Sequence, residues 1–212
     1  MPENEHEYDA ELTPAEGPRL MTATSPASPS LDAERTDLLA ALATARSTLI
    51  NTVRGLTDDQ LGETPTVSAL SLGGLIKHVA STEKAWLRFV VEGPSAMDFA
   101  LPDGVTWADF AAGTVSEYPQ WAIDRENDFR MLPGDTLAGI LARYEEIAAT
   151  TEKIVAEVPD LSATHPLPAA PWNEPGAVRS VRAVLIHLVQ ETAQHAGHAD
   201  ILRESIDGQK ST

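Results

Sequence analysis

Apolar residues recur at spacings of three and four along four long stretches of the chain, the spacing that marks an amphipathic helix. Leu38, Leu42, Ala45, Leu49, Val53 and Leu56 trace the first. Ser30 stands as its candidate N-cap, Asp32 and Glu34 suit the dipole of its first turn, and it is expected to end near Gly55. Leu72, Leu75, Ile76, Val79, Trp86, Leu87 and Val90 predict a second helix, from Ser71 to the Gly93-Pro94 stop. A third carries Leu137, Ile140, Leu141, Tyr144, Ile147, Ala148, Ile154, Val155 and Val158, with Asp135 as its candidate cap and Pro159 at its end. The last runs from Ser180 to Gly208 along Val181, Val184, Leu185, Leu188, Thr192, Leu202 and Ile206.

The segments between these helices read differently. Residues 57–70 form a connection. Residues 94–134 have no sustained period, although Phe99, Trp107, Phe110, Trp121 and Phe129 are frequent there, and one short helix is expected near 119–130. Residues 159–177 hold five prolines and read as an irregular loop. Residues 1–30 carry six carboxylates and one arginine, Arg19, without any period, the composition of a disordered acidic leader. Four long helices with no convincing strand predict an all-α protein, a four-helix bundle over residues 31–208. The long connections leave both an up-down-up-down and a crossover topology open.

Composition narrows the chemistry. At 212 residues the chain suits one domain. Its net charge of −17 argues against binding nucleic acid or an anionic membrane, since both require a basic surface. No run of apolar residues is long enough to span a bilayer. The opening MPENEHEYDAEL is acidic where a secretory signal is basic, so a cytoplasmic protein is expected. Cysteine is absent, which excludes a disulfide or a thiolate nucleophile of the chain's own. A metal site here has to be built from His, Asp and Glu.

The last helix supplies such residues in an unexpected place. Glu191 and His195 fall inside the sector of Val184, Leu188, Leu202 and Ile206, four apart and one above the other. A buried carboxylate needs a compensating charge, and a divalent cation provides one. His78, at the edge of the second helix's stripe beside Leu75, Thr82 and Phe89, can supply a third ligand. Three protein ligands with an open position describe a catalytic site better than a closed structural one. Other pairings stay open: Glu191 with His195 alone, or with Arg182 or Arg203. His198, one turn past His195, is a candidate fourth ligand, general base or substrate donor, or a surface histidine. His187 reads as a supporting or structural residue, and His6 and His165 lie outside the predicted helices.

The segment LGGLIKHVASTEKAWLRFVVEG around His78, with SVRAVLIHLVQETAQHAGHADILRESIDG downstream, resembles the DinB-like superfamily. More closely it resembles the actinobacterial mini-circle branch, related to mycothiol-dependent enzymes, over residues 31–208. The resemblance implies a four-helix bundle holding one divalent metal ion, zinc or nickel, through His78 and two residues four apart on the last helix. Many members have His at both of those positions. Glu191 and His195 match the variant of the mycothiol-dependent maleylpyruvate isomerases.

It further implies a mycothiol-like low-molecular-weight thiol as cosubstrate, deprotonated at the metal and attacking an electrophilic small molecule, with His198 or a metal-bound water as candidate proton acceptor. The aromatic connection and the loop with Trp172 and Asn173 would shape the second substrate's pocket, while a cationic subsite for the thiol's carboxylate would use Arg179, Arg182 or Arg203. The preferred expectation is a metal-dependent thiol S-transferase, with a homodimer as the default assembly. The alternatives are a metal-dependent hydrolase using metal-bound water and a non-catalytic, stress-related bundle.

Overall fold

The computed structural model describes residues 32–97 and 99–210. The proposed leader, residues 1–30, and the Ser30 cap lie outside the described residues. Four long helices form where the apolar spacing predicts them: α1 (Ala33–Asn51), α3 (Leu72–Glu92), α6 (Leu137–Glu157) and α7 (Val181–Asp207). Three short helices accompany them, α2 (Asp58–Leu61), α4 (Trp107–Ala112) and α5 (Gln120–Asp128). The expected short helix near 119–130 is α5; α2 and α4 are too short to show a period.

Side-chain oxygens close the open N-termini. Ser71 accepts from the Gly74 amide at 3.2 Å and Ser180 from the Ala183 amide at 3.1 Å. Asp32 caps α1, accepting from the Arg35 amide at 2.9 Å. At α6 the cap is Thr136, which accepts from the Gly139 amide at 3.1 Å, and not the expected Asp135. Asp135 instead pairs with the Lys77 ammonium at 2.5 Å, tying the start of α6 to α3. A second correction concerns the proline-rich loop. It contains β1 (Thr164–Pro166), antiparallel to β2 (Val178–Ser180) in the register Thr164↔Ser180 and Pro166↔Val178. Three-residue strands leave no alternation to read in a sequence.

The packing settles the topology. One apolar cluster joins Leu49 late in α1 and Val53 just after it to Leu72 and Leu75 early in α3, Ile140 and Tyr144 early in α6, and Ala199 and Leu202 late in α7. The other joins Leu42 of α1 to Phe89 and Val90 late in α3, Val155 late in α6, and Val181 and Val184 early in α7. Helices α1 and α7 therefore run one way, α3 and α6 the other. Each long helix has two neighbours: α1 lies beside α6 and α7, and α3 beside the same two. Because α3 and α6 are parallel, residues 93–136 must return the length of the bundle. This is the crossover topology.

A charged layer lies between the two clusters. Arg46 of α1 is 6% exposed, Glu83 of α3 is fully buried, and the guanidinium donates twice to the carboxylate, once at 3.1 Å. The Thr151 hydroxyl of α6 donates to Glu83 as well. The Tyr144 hydroxyl is buried beside this layer without a well-formed hydrogen bond, and burial together with the Glu83 charge pushes its pKa upward.

Gly73 and Gly74 let the chain fold back onto the start of α3. A Cβ at Gly74 would overlap the Phe129 carbonyl, and one at Gly73 would overlap the Met131 thioether. Gly74→Ala is therefore expected to cost about 1–3 kcal/mol in chemical denaturation, because backbone has to move. Gly73→Ala should cost less, since the end of a Met side chain can swing away. Equal losses in the two variants would contradict this packing.

Candidate functional site

The antiparallel pair α3 and α7 brings three side chains together. His78 Nε2 and His195 Nε2 each lie 3.3 Å from Glu191 Oε1, and the three donor atoms all fall within 4.8 Å of one another. Two ligands held about 2.1 Å from a tetrahedral ion would lie about 3.4 Å apart, so the two separations from Glu191 already match the edge of a coordination tetrahedron. The donor set of two imidazole nitrogens and a carboxylate oxygen suits a borderline divalent cation. The residues fit the ion that the sequence resemblance implies.

Burial makes the cluster costly without a cation. His78 is 4% exposed and Glu191 is only partly open. Among the described residues no lysine or arginine pairs with Glu191. Arg182 pairs with Glu34, while Arg203 pairs with Asp207 and donates to the Thr52 carbonyl at 2.8 Å. Hydrogen bonds from His195 first, and then His78, hold the Glu191 carboxyl well below the usual carboxylate range, against the opposing effect of burial.

The surroundings fix the imidazoles. Phe129 stacks on His78 with ring centroids 3.9 Å apart, in the segment that the two glycines admit. His78 meets His195 edge-on at 5.0 Å. His198 lies one turn beyond, its Nδ1 3.4 Å from Nδ1 of His195, and it is not among the residues lining the cleft described next. Near the start of α3's second half, the Ser81 hydroxyl donates to Asp128 of α5 at 3.0 Å, while burial pushes the Asp128 carboxyl up.

A cleft of about 870 Å³ opens from His78 and Glu191. Its aromatic wall comes from Trp86, Phe99, Phe110, Trp121, Phe129 and Trp172, and Asn173 lines it too, as the sequence suggested for both connections. Trp107 stands behind, edge-on to Trp172 at 5.3 Å. His187 lies on the α7 side one turn before Glu191, and burial and the nearby Arg179 charge both push its pKa down. Arg179, from β2, stacks its guanidinium 4.5 Å from the Trp86 ring centroid and lines the same cleft. His165 is structural, with Nε2 3.2 Å from the Val90 carbonyl.

Three features escaped the sequence reading: Phe129 as the partner of His78, the glycine pair, and the Arg46–Glu83 layer. Signals existed for two of them. Glu83 sits in phase between Val79 and Leu87, and Arg46 between Leu42 and Leu49, the same kind of anomaly that exposed Glu191. Consecutive glycines inside a strong helix pattern ask for a close approach.

Comparison with known proteins agrees with this architecture. No curated protein matches the chain. A family model described as mycothiol-S-transferase matches residues 37–208, a span that includes α1 from its second turn, the other three long helices, the three convergent ligands and the aromatic wall. The chain belongs to the mycothiol-S-transferase family.

Proposed function

We propose that this protein is a metal-dependent transferase that activates a mycothiol-like thiol for attack on an electrophilic small molecule. The observation that carries the reading is the His78–Glu191–His195 cluster at the edge of an aromatic-lined cleft, in a chain with no cysteine of its own. Family membership supports the kind of reaction. Zinc or nickel suits the donor set. When bound there, a divalent cation supplies the charge that brings a thiol's pKa down to neutral pH and holds its sulfur.

The chain's own residues do the remaining work. Glu191 would offset part of the cation's charge, and three protein donors would leave a tetrahedral ion one position for an exogenous ligand. Phe129 covers one face of His78 and keeps water off it. His198 holds the His195 ring through their Nδ1 contact, which makes it a positioning residue. The proton released by the thiol leaves through solvent in the half-open cleft, and the electrophile packs against the tryptophans.

Full-length protein purified without a polyhistidine tag is expected to consume mycothiol in the presence of a chloronitroarene. Chelation should abolish the reaction and added zinc or nickel restore it. Turnover of an ester or amide with no thiol present, and no thiol consumption, would replace this reading with a hydrolase.

A further inference from the structure

Among the described residues, Arg179 is a cation without an anion. Its guanidinium lines the cleft that opens onto Glu191, rests over Trp86, and makes no hydrogen bond or ion pair with any described residue. The contrast with the other arginines of α7 and its approach is plain, since Arg182 and Arg203 are both engaged by carboxylates. In a chain of net charge −17, leaving a half-buried guanidinium unpaired amid an aromatic wall is a costly arrangement unless a ligand completes it. A guanidinium presents a planar fork that matches a carboxylate, and its stacking on Trp86 holds that fork in place. His187, edge-on to Trp86 at 5.2 Å and one turn before Glu191, spans the distance from this cation to the ligand cluster.

We infer that Arg179 is an anion subsite and that the electrophile is a planar aromatic or conjugated molecule carrying a carboxylate. The carboxylate pairs with Arg179, the ring lies along Trp86, Trp121 and Trp172, and the electrophilic carbon faces His78 and Glu191. This assignment rests on the transferase reading for what the ligand is for, but not for where it binds. In the transfer step the thiol sulfur forms a bond to the electrophilic carbon. With a halogenated arene the carbon–chlorine bond breaks, chloride leaves with the electron pair, and the thiol proton passes to solvent.

The test is binding without any thiol, so that no reaction occurs. A chloronitrobenzoate and the matching chloronitrobenzamide differ in charge and little in shape, and nitroarenes quench the tryptophans of the cleft. Titration of full-length, metal-containing protein should give the benzoate an affinity roughly tenfold to a hundredfold above that of the benzamide. Arg179→Met should collapse that ratio towards one, Arg179→Lys should keep part of it, and Arg182→Met should leave it unchanged. An undiminished ratio in Arg179→Met overturns the subsite, because the guanidinium would then merely brace Trp86. A ratio that survives Arg179→Met and disappears in Glu191→Ala also overturns it, since the carboxylate would be binding at the metal. Selective benzoate binding with no thiol transfer under any condition would retain the subsite and reject the transferase.

Discussion

Protein carrying Glu191→Ala is expected to leave purification with almost no bound metal, against close to one ion per wild-type chain by elemental analysis. The substitution removes the only anionic donor of the three and the atom that both imidazole nitrogens approach at 3.3 Å. His78 and His195 alone form a two-point site, still buried but without charge to offset the cation. Losing one of three ligands, and the charged one, should lower affinity by far more than the roughly tenfold to hundredfold typical of a supporting residue. His195→Ala should behave alike, while His198→Ala should retain metal with affinity reduced within that smaller range, as its place behind His195 requires. Thiol consumption should follow the metal content across the series. Equal metal in wild type, Glu191→Ala and His195→Ala would leave the cluster as a buried polar network and nothing more.

Glu83→Ala is expected to lose about 3–5 kcal/mol of stability in urea denaturation, lowering the melting temperature by roughly 6–20 °C. The carboxylate is fully buried, and its removal strands the Arg46 guanidinium in the core, while the Thr151 hydroxyl keeps only the Ile147 carbonyl at 3.0 Å. Most of that cost is the uncompensated charge, so the double substitution Arg46→Met with Glu83→Leu should recover most of the loss or exceed wild type. Additive losses in the double variant, or a single-variant loss under about 1 kcal/mol, would mean that the two groups do not depend on each other. The layer also crosses α1, α3 and α6 at one level, so the apolar double variant separates its contribution to stability from any role in setting helix register.

Much of this was legible because it follows from short-range rules. Ser71, Ser180, Pro159 and Gly208 bound their helices as cap and breaker chemistry dictates, and Glu191 and His195 marked themselves as candidate ligands by interrupting an apolar stripe in phase. Other features depended on partners far away in the chain. Asp135 looked like a cap until Lys77, from another helix, claimed it. The direction of α6 could not be read, because proline-rich and aromatic connections are compatible with either arrival. Phe129 became a site residue only once the return segment met Gly74. Arg179 stood just after the proline-rich stretch as one of three equivalent arginines, and its distinction lies in what the other two already hold.

The return of residues 93–136 along the bundle separates anchorage from selectivity. Every candidate metal ligand belongs to α3 or α7, whereas Phe99, Phe110, Trp121 and Trp172 belong to the connecting segments. Connecting segments accept sequence drift and changes of length far more readily than packed helices. If the proposed function holds, a descendant chain can thus acquire a new electrophile by rewriting this removable cheek of the cavity, with its chassis and its candidate ligands inherited intact.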